Sequence, residues 1–268
     1  MTRPWQMQAE GEGQFPLAFR LYEAKMHKRA TARAQPVVLY LRGNSFLSAP
    51  QPAEDAPAAV AMAEAGAIVV EADYGGPSGN VFPRTLECGF GALRYLVAKR
   101  RRFAATRSPV LLAGDEAGGN LAACLALKAR DYMPNELAGQ VLLSPMIDPQ
   151  MATASFEKAD GIGMRTRWSE GWSHYLASAC SYQHPYAAPC FCSRMAGAAP
   201  ALVVTSDDDP LRDETLGYAA RLESAGVPVT RRILPADSGW TGLYHGRDGA
   251  WRAGFSADFA QFLDGLRT

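Results

Sequence analysis

The chain lacks net charge: among its 268 residues, 27 Lys and Arg stand against 27 Asp and Glu. Without a basic excess it has no electrostatic footprint for nucleic acid, nor one for an anionic membrane surface. The densest basic run, Lys99-Arg100-Arg101-Arg102, reads as a helix end, where cations suit the negative pole of the dipole. Long apolar runs are missing too. No stretch approaches the roughly 20 apolar residues that a bilayer span requires. Residues 1–13, MTRPWQMQAEGEG, contain no apolar signal core, so a cytoplasmic location is the expectation. Cysteine is scarce and odd in number, five in all, which argues for free thiols over a disulfide frame. Cys190 and Cys192 lie too close for paired zinc-ligand spacing, and His174 and His184 have no i, i+4 histidine partner. No metal is expected.

What is present is a regular alternation of apolar runs and helical patterns. Residues 15–26 alternate in polarity, as a strand or hairpin near a sheet edge would. Runs at 37–41, 67–72, 109–113, 139–144, 201–205 and 227–234 read as buried strands. Helical stretches cover 57–65, 83–99, 117–130, 211–225 and 253–266. The fourth of these has Pro210 near its start and Gly226 just past its end, the asymmetry that helix termini prefer. Alternating strands and helices imply an α/β fold, a mostly parallel central sheet with helices on both faces. From about 148 to 199 the rhythm stops; Trp168, Trp172 and Tyr175 fall there, with no convincing strand. An insertion of that length exceeds ordinary loops and reads as a helical cap or lid. The whole chain, 1–268, is expected to be one domain with a short N-terminal extension, 1–13.

One short stretch carries the functional question. "AGDEAGGN", residues 113–120, follows the apolar run Val110-Leu111-Leu112 and leads into Leu121-Ala122-Ala123-Cys124. Strand, glycine turn and helix is the setting of a nucleophile elbow, where G-x-S-x-G exposes a serine on a strained turn. Here the central residue is Glu116. The glycine spacing does not fit a dinucleotide fingerprint, and no cofactor is expected.

Several blocks resemble, in order, the α/β-hydrolase fold, specifically the bacterial hormone-sensitive-lipase-like esterases. They are "VVLYLRGNSF" at 37–46, "EADYGGPSGNVFPRTLECGFGALRYL" at 71–96, "GDEAGGNLA" at 114–122, "LLSPMID" at 142–148 and "PALVVTSDDDPLRDETLGYAARLESAGVPV" at 200–229. The resemblance implies a serine nucleophile, a histidine base, an orienting acid and an oxyanion loop. Asp209 matches the acid. Glu116 stands at the serine, and in "LPADSGW" Ser238 or Gly239 falls at the histidine. His245 could serve as base if that loop carries an insertion. The oxyanion loop becomes Arg42-Gly43-Asn44-Ser45, with the N–H of Ala117 as the second donor.

Two readings follow. In one the protein is an altered hydrolase on a small ester-like substrate, with Glu116 as nucleophile or general base and Asp209 as partner carboxylate. In the other Glu116 pairs with Arg42, closing the site to acyl chemistry. The protein is then a catalytically inactive relative that binds a small molecule beneath the cap, read by Trp168, Trp172 or Tyr175. With only a short N-terminal extension to cover the pocket, exposed apolar surface would favour a homodimer.

Overall fold

In the computed structural model, residues 2–7, 17–23, 34–47, 54–74, 80–177 and 182–266 are described. Their strands form one eight-stranded sheet. In chain order these are Thr2–Met7 (β1), Leu17–Tyr22 (β2), Val37–Leu41 (β3) and Ile68–Ala72 (β4), then Val110–Asp115 (β5), Gly139–Pro145 (β6), Ala201–Ser206 (β7) and Val229–Leu234 (β8). The spatial order is β1-β2-β4-β3-β5-β6-β7-β8. From β4 to β8 all neighbours are parallel, while β1 and β2 are antiparallel additions at one edge. β3 to β7 are buried along their whole length, as strands covered on both faces must be, which is why their sequences are continuous apolar runs. The α/β-hydrolase fold expected from the sequence is thus the fold observed.

Side chains alternate across the sheet into two cores. Val38 and Tyr40 pack with Met62 of Pro57–Glu64 (α1) and with Phe255 and Phe259 of the last helix. Leu39 and Leu112 pack on the other face with Leu93 of Arg84–Ala98 (α2) and Leu125 of Glu116–Tyr132 (α3). Arg165–Tyr175 (α4) belongs to the insertion, Arg212–Ser224 (α5) covers the α3 face, and Trp251–Gly265 (α6) closes the chain beside α1. The insertion holds α4 and short 3-10 turns at Ala154–Asp160 and Pro189–Phe191, with no strand among its described residues. Among the described residues no helix is long and apolar enough to cross a membrane.

The N-terminal extension contains β1, whose backbone pairs with β2 from Thr2↔Tyr22 to Met7↔Leu17. Pro4 lies within it, and an edge strand tolerates proline because one side needs no ladder partner.

Candidate functional site

The site is built where β5 turns into α3. Glu116, the first residue of α3, has φ 53°, a left-handed conformation that costs a non-glycine residue about 1–3 kcal/mol and persists only where surroundings enforce it. The enforcement is close packing of backbone. A Cβ on Gly118 would overlap the carbonyl oxygen of Leu41, and one on Gly114 would overlap that of Gly118. The Glu116 carbonyl accepts from the Met146 N–H at 3.0 Å, tying the turn to the end of β6.

The Glu116 side chain is 3% exposed and fully engaged. Its Oε2 accepts from the backbone N–H of Ser45 at 2.8 Å. Its Oε1 accepts from the Ser45 hydroxyl and from the indole Nε1 of Trp168 at 2.6 Å. Ser45 is itself at φ 56° and accepts at Oγ from Arg167 Nε, 3.0 Å away. The carboxylate is therefore held between the β3–α1 loop and the cap helix.

Arg42 does not pair with Glu116. Its Nη1 donates to the Glu54 carbonyl at 2.9 Å and lies 4.0 Å from Glu71 Oε1. Glu71 is wholly buried in β4, where burial raises its pKa and the Tyr22 hydroxyl and Arg42 restrain the rise. A buried carboxylate on the neighbouring strand attracts the guanidinium more than the turn does, because Glu116 already has its donors. The remaining loop residues stay close. Gly43 donates its N–H to Asp115 Oδ1 at 3.1 Å, and Asn44 Oδ1 accepts from Tyr74 at 3.1 Å. Ala117 follows Glu116 and is fully buried. Asp115 Oδ1 also accepts from the Tyr40 hydroxyl. Burial pushes its carboxyl up to about 6, opposed by the Tyr40 hydrogen bond and reinforced by the charge of Glu116.

Asp209 lies at the end of β7, fully buried and saturated with donors. Its Oδ2 accepts from Ser144 Oγ at 2.6 Å and Trp240 Nε1 at 2.7 Å, and its Oδ1 from the Leu211 N–H at 2.8 Å. The Tyr244 hydroxyl lies 2.7 Å from both oxygens. Burial raises its pKa while these donors hold it down. His245 is not brought to Asp209. The 3-10 turn Trp240–His245, bounded by Gly239 and Gly246 at positive φ, points Tyr244 inward and leaves His245 exposed. Ser238 is buried, and its hydroxyl has no partner among the described residues.

Trp168, Trp172 and Tyr175 pack as core and are not among the residues that border the cleft at this site. Phe46 stacks on Tyr175 at 4.0 Å and packs against Trp172 at 5.1 Å. A Cβ on Gly171 would overlap the Ser45 carbonyl oxygen, so the absence of one seats α4 directly on the loop. The open space lies to one side, in a cleft of about 460 Å³ bordered by Arg42, Asn44, Asp115, Arg167 and the Leu243–Gly246 segment. Among the described residues no group of acids, histidines and cysteines is placed to hold a metal ion.

Sequence reasoning missed Trp240, Tyr244, Ser144 and Arg167. Only Trp240 left a signal, since it ends the "LPADSGW" stretch where a histidine was sought.

Residues 38–237 match the family model of the α/β-hydrolase fold, and the chain belongs to that family. Its relatives include esterases. Esterase LipI of Mycobacterium tuberculosis is 31% identical over 197 residues, 72% of this chain and 62% of its own. Ethyl acetate hydrolase of Pseudomonas putida is 27% identical over 224 residues, 82% of this chain and 69% of its own. A thermostable esterase from Pseudomonas putida superposes with a TM-score of 0.79 at 25% identity, covering 100% of this chain and 84% of that one. The ancestry is that of the esterase and lipase group, although the chain spans only 62% of the length of LipI.

Proposed function

We propose that this protein is a catalytically silent member of the esterase and lipase group whose site now binds a small molecule. In this reading the Glu116 turn is the nucleophile elbow, with glutamate in place of serine, and residues 42–45 are the oxyanion loop. The observation that carries it is the hydrogen bond from the Ser45 N–H to Glu116 Oε2 at 2.8 Å. A donor that would stabilise the oxyanion of an acyl-transfer intermediate is already occupied by a built-in anion. The second support is the partner of Asp209. Trp240 supplies an indole N–H at 2.7 Å, and an indole donates but cannot take a proton from a nucleophile. Asp209 keeps its place, yet the ring beside it is an indole and not an imidazole that could relay a proton.

The free thiols of Cys88, Cys124, Cys190 and Cys192 fit a reducing, cytoplasmic setting. The test is hydrolysis of p-nitrophenyl acetate and butyrate by the protein and by Glu116→Gln. The expected result is no turnover above buffer for either. Turnover by the unaltered protein that disappears in Glu116→Gln would overturn this reading in favour of a carboxylate-centred hydrolase.

A further inference from the structure

We infer that the cleft beside the Glu116 turn binds a small zwitterion, a molecule with an ammonium at one end and a carboxylate at the other, of the α-amino acid class. This rests on the non-catalytic reading of the same site and names the ligand chemistry it would take.

The floor of the cleft calls for a cation with donors. Asp115 is 3% exposed, and its Oδ1 is engaged by Tyr40 and by the Gly43 N–H. Its Oδ2 accepts no hydrogen bond from any described residue, although Asp115 borders the cleft. A Cβ on Gly43 would lie 2.8 Å from Asp115 Oδ2 and 2.6 Å from Glu116 Oε2, so the two carboxylates lie close together across this glycine. Glu116 has its donors; Asp115 Oδ2 does not. A nearly desolvated carboxylate with an open lone pair is costly unless a donor meets it, and an ammonium brings both charge and three N–H groups.

Another part of the lining calls for an anion. Arg167 is exposed on α4 and uses only Nε, toward Ser45 Oγ. Both Nη groups lack a partner among the described residues and form the fork that fits a carboxylate. Asn44 faces the same space, its amide nitrogen without a partner among the described residues and its Oδ1 held by Tyr74. A simple carboxylate would also meet Asp115, Glu54 and Asp73 along the lining, and a simple amine would meet Arg42 and Arg167. A ligand carrying both charges satisfies both sets. The 460 Å³ available lies in the range of small-molecule sites, and Met164 and Leu243 offer an apolar wall to a side chain.

The test is binding, by thermal shift and titration calorimetry, of the twenty free amino acids. For the best of them, L-phenylalanine taken as the working probe, two one-headed analogues follow: 3-phenylpropionate and 2-phenylethylamine. The expected result is saturable binding of the zwitterion, at least tenfold tighter than either analogue. Asp115→Asn should weaken the zwitterion at least tenfold and leave 3-phenylpropionate binding no weaker, since it removes a like charge from the lining. Arg167→Met, on an exposed side chain, should weaken it similarly and leave 2-phenylethylamine binding no weaker. Equal affinity for a one-headed analogue overturns the proposal, as does silence across all twenty amino acids. Ester turnover measured on the same preparation keeps the two readings apart. Turnover with amino-acid binding sinks only catalytic silence, whereas no turnover and no binding sinks only the ligand class.

Discussion

Glu116 and Asp115 are neighbours in sequence, yet they are held in opposite ways. Glu116 faces donors only: a backbone N–H, a hydroxyl and an indole. Replacing one oxygen by an amide nitrogen in Glu116→Gln sets donor against donor. An unsatisfied buried group of that kind costs about 1–3 kcal/mol. The midpoint of urea unfolding should fall accordingly, and an unchanged midpoint would contradict the hydrogen bonds described. Asp115 is the reverse case, since its carboxyl rises from an ordinary 3.8 to about 6 on burial. A raised acid binds its proton more tightly in the folded state. Stability from this group is therefore complete below pH 3.8 and is lost as the pH rises through about 6. At about 1.4 kcal/mol per pH unit, the ionised form costs about 3 kcal/mol at neutral pH. Asp115→Asn retains an acceptor for Tyr40 and Gly43, and its new N–H can approach Glu116. It should stabilise the ligand-free protein at pH 7.5 by up to that amount and by nothing near pH 3.5. An equal gain at both pH values would show that charge is not the cause.

At the scale of elements, the cap is seated by one missing side chain. Gly171 of α4 sits against the Ser45 carbonyl, while Trp168, one turn earlier on the same helix, reaches Glu116. Gly171→Ala has no room and should cost about 1–3 kcal/mol, the usual penalty of overpacking, read as a lower melting temperature. Tm equal to that of the parent would mean that α4 is not seated as described. The central strands and main helices were legible in the sequence because burial on both faces writes an unbroken apolar run, and amphipathic helices separate those runs. The edge was not. β1 gains its partners from backbone pairing with β2, and its sequence, TRPWQM, has no apolar run to announce a strand. The site was half legible. Glu116 and Asp209 were marked by their motifs, whereas Arg167 and Tyr244 arrive from exposed or irregular segments whose direction depends on tertiary packing. The pairing of Arg42 with Glu71 was hidden because nothing in either segment records that β3 and β4 are neighbours.

On the scale of the whole molecule, the two ends of the site are sealed by separate tryptophans from distant parts of the chain, Trp168 on Glu116 and Trp240 on Asp209. On the catalytically silent reading proposed above, changing one end alone should achieve nothing. Glu116→Ser should stay inactive toward p-nitrophenyl acetate, because its hydroxyl has no base. Glu116→Ser combined with Trp240→His places an imidazole beside Asp209 and should give turnover above buffer. Activity in the single variant would mean that another group, His245 foremost, can serve as base. The same two indoles have a spectroscopic consequence. A proton shared with a carboxylate is deshielded and exchanges slowly with solvent, so the Trp168 and Trp240 indole resonances should appear far downfield in a proton–nitrogen spectrum. The Trp251 indole, buried without an acceptor among the described residues, should appear well upfield of both. Each end of the site thus carries its own reporter, one reading cap against core and the other the closing loop against β7.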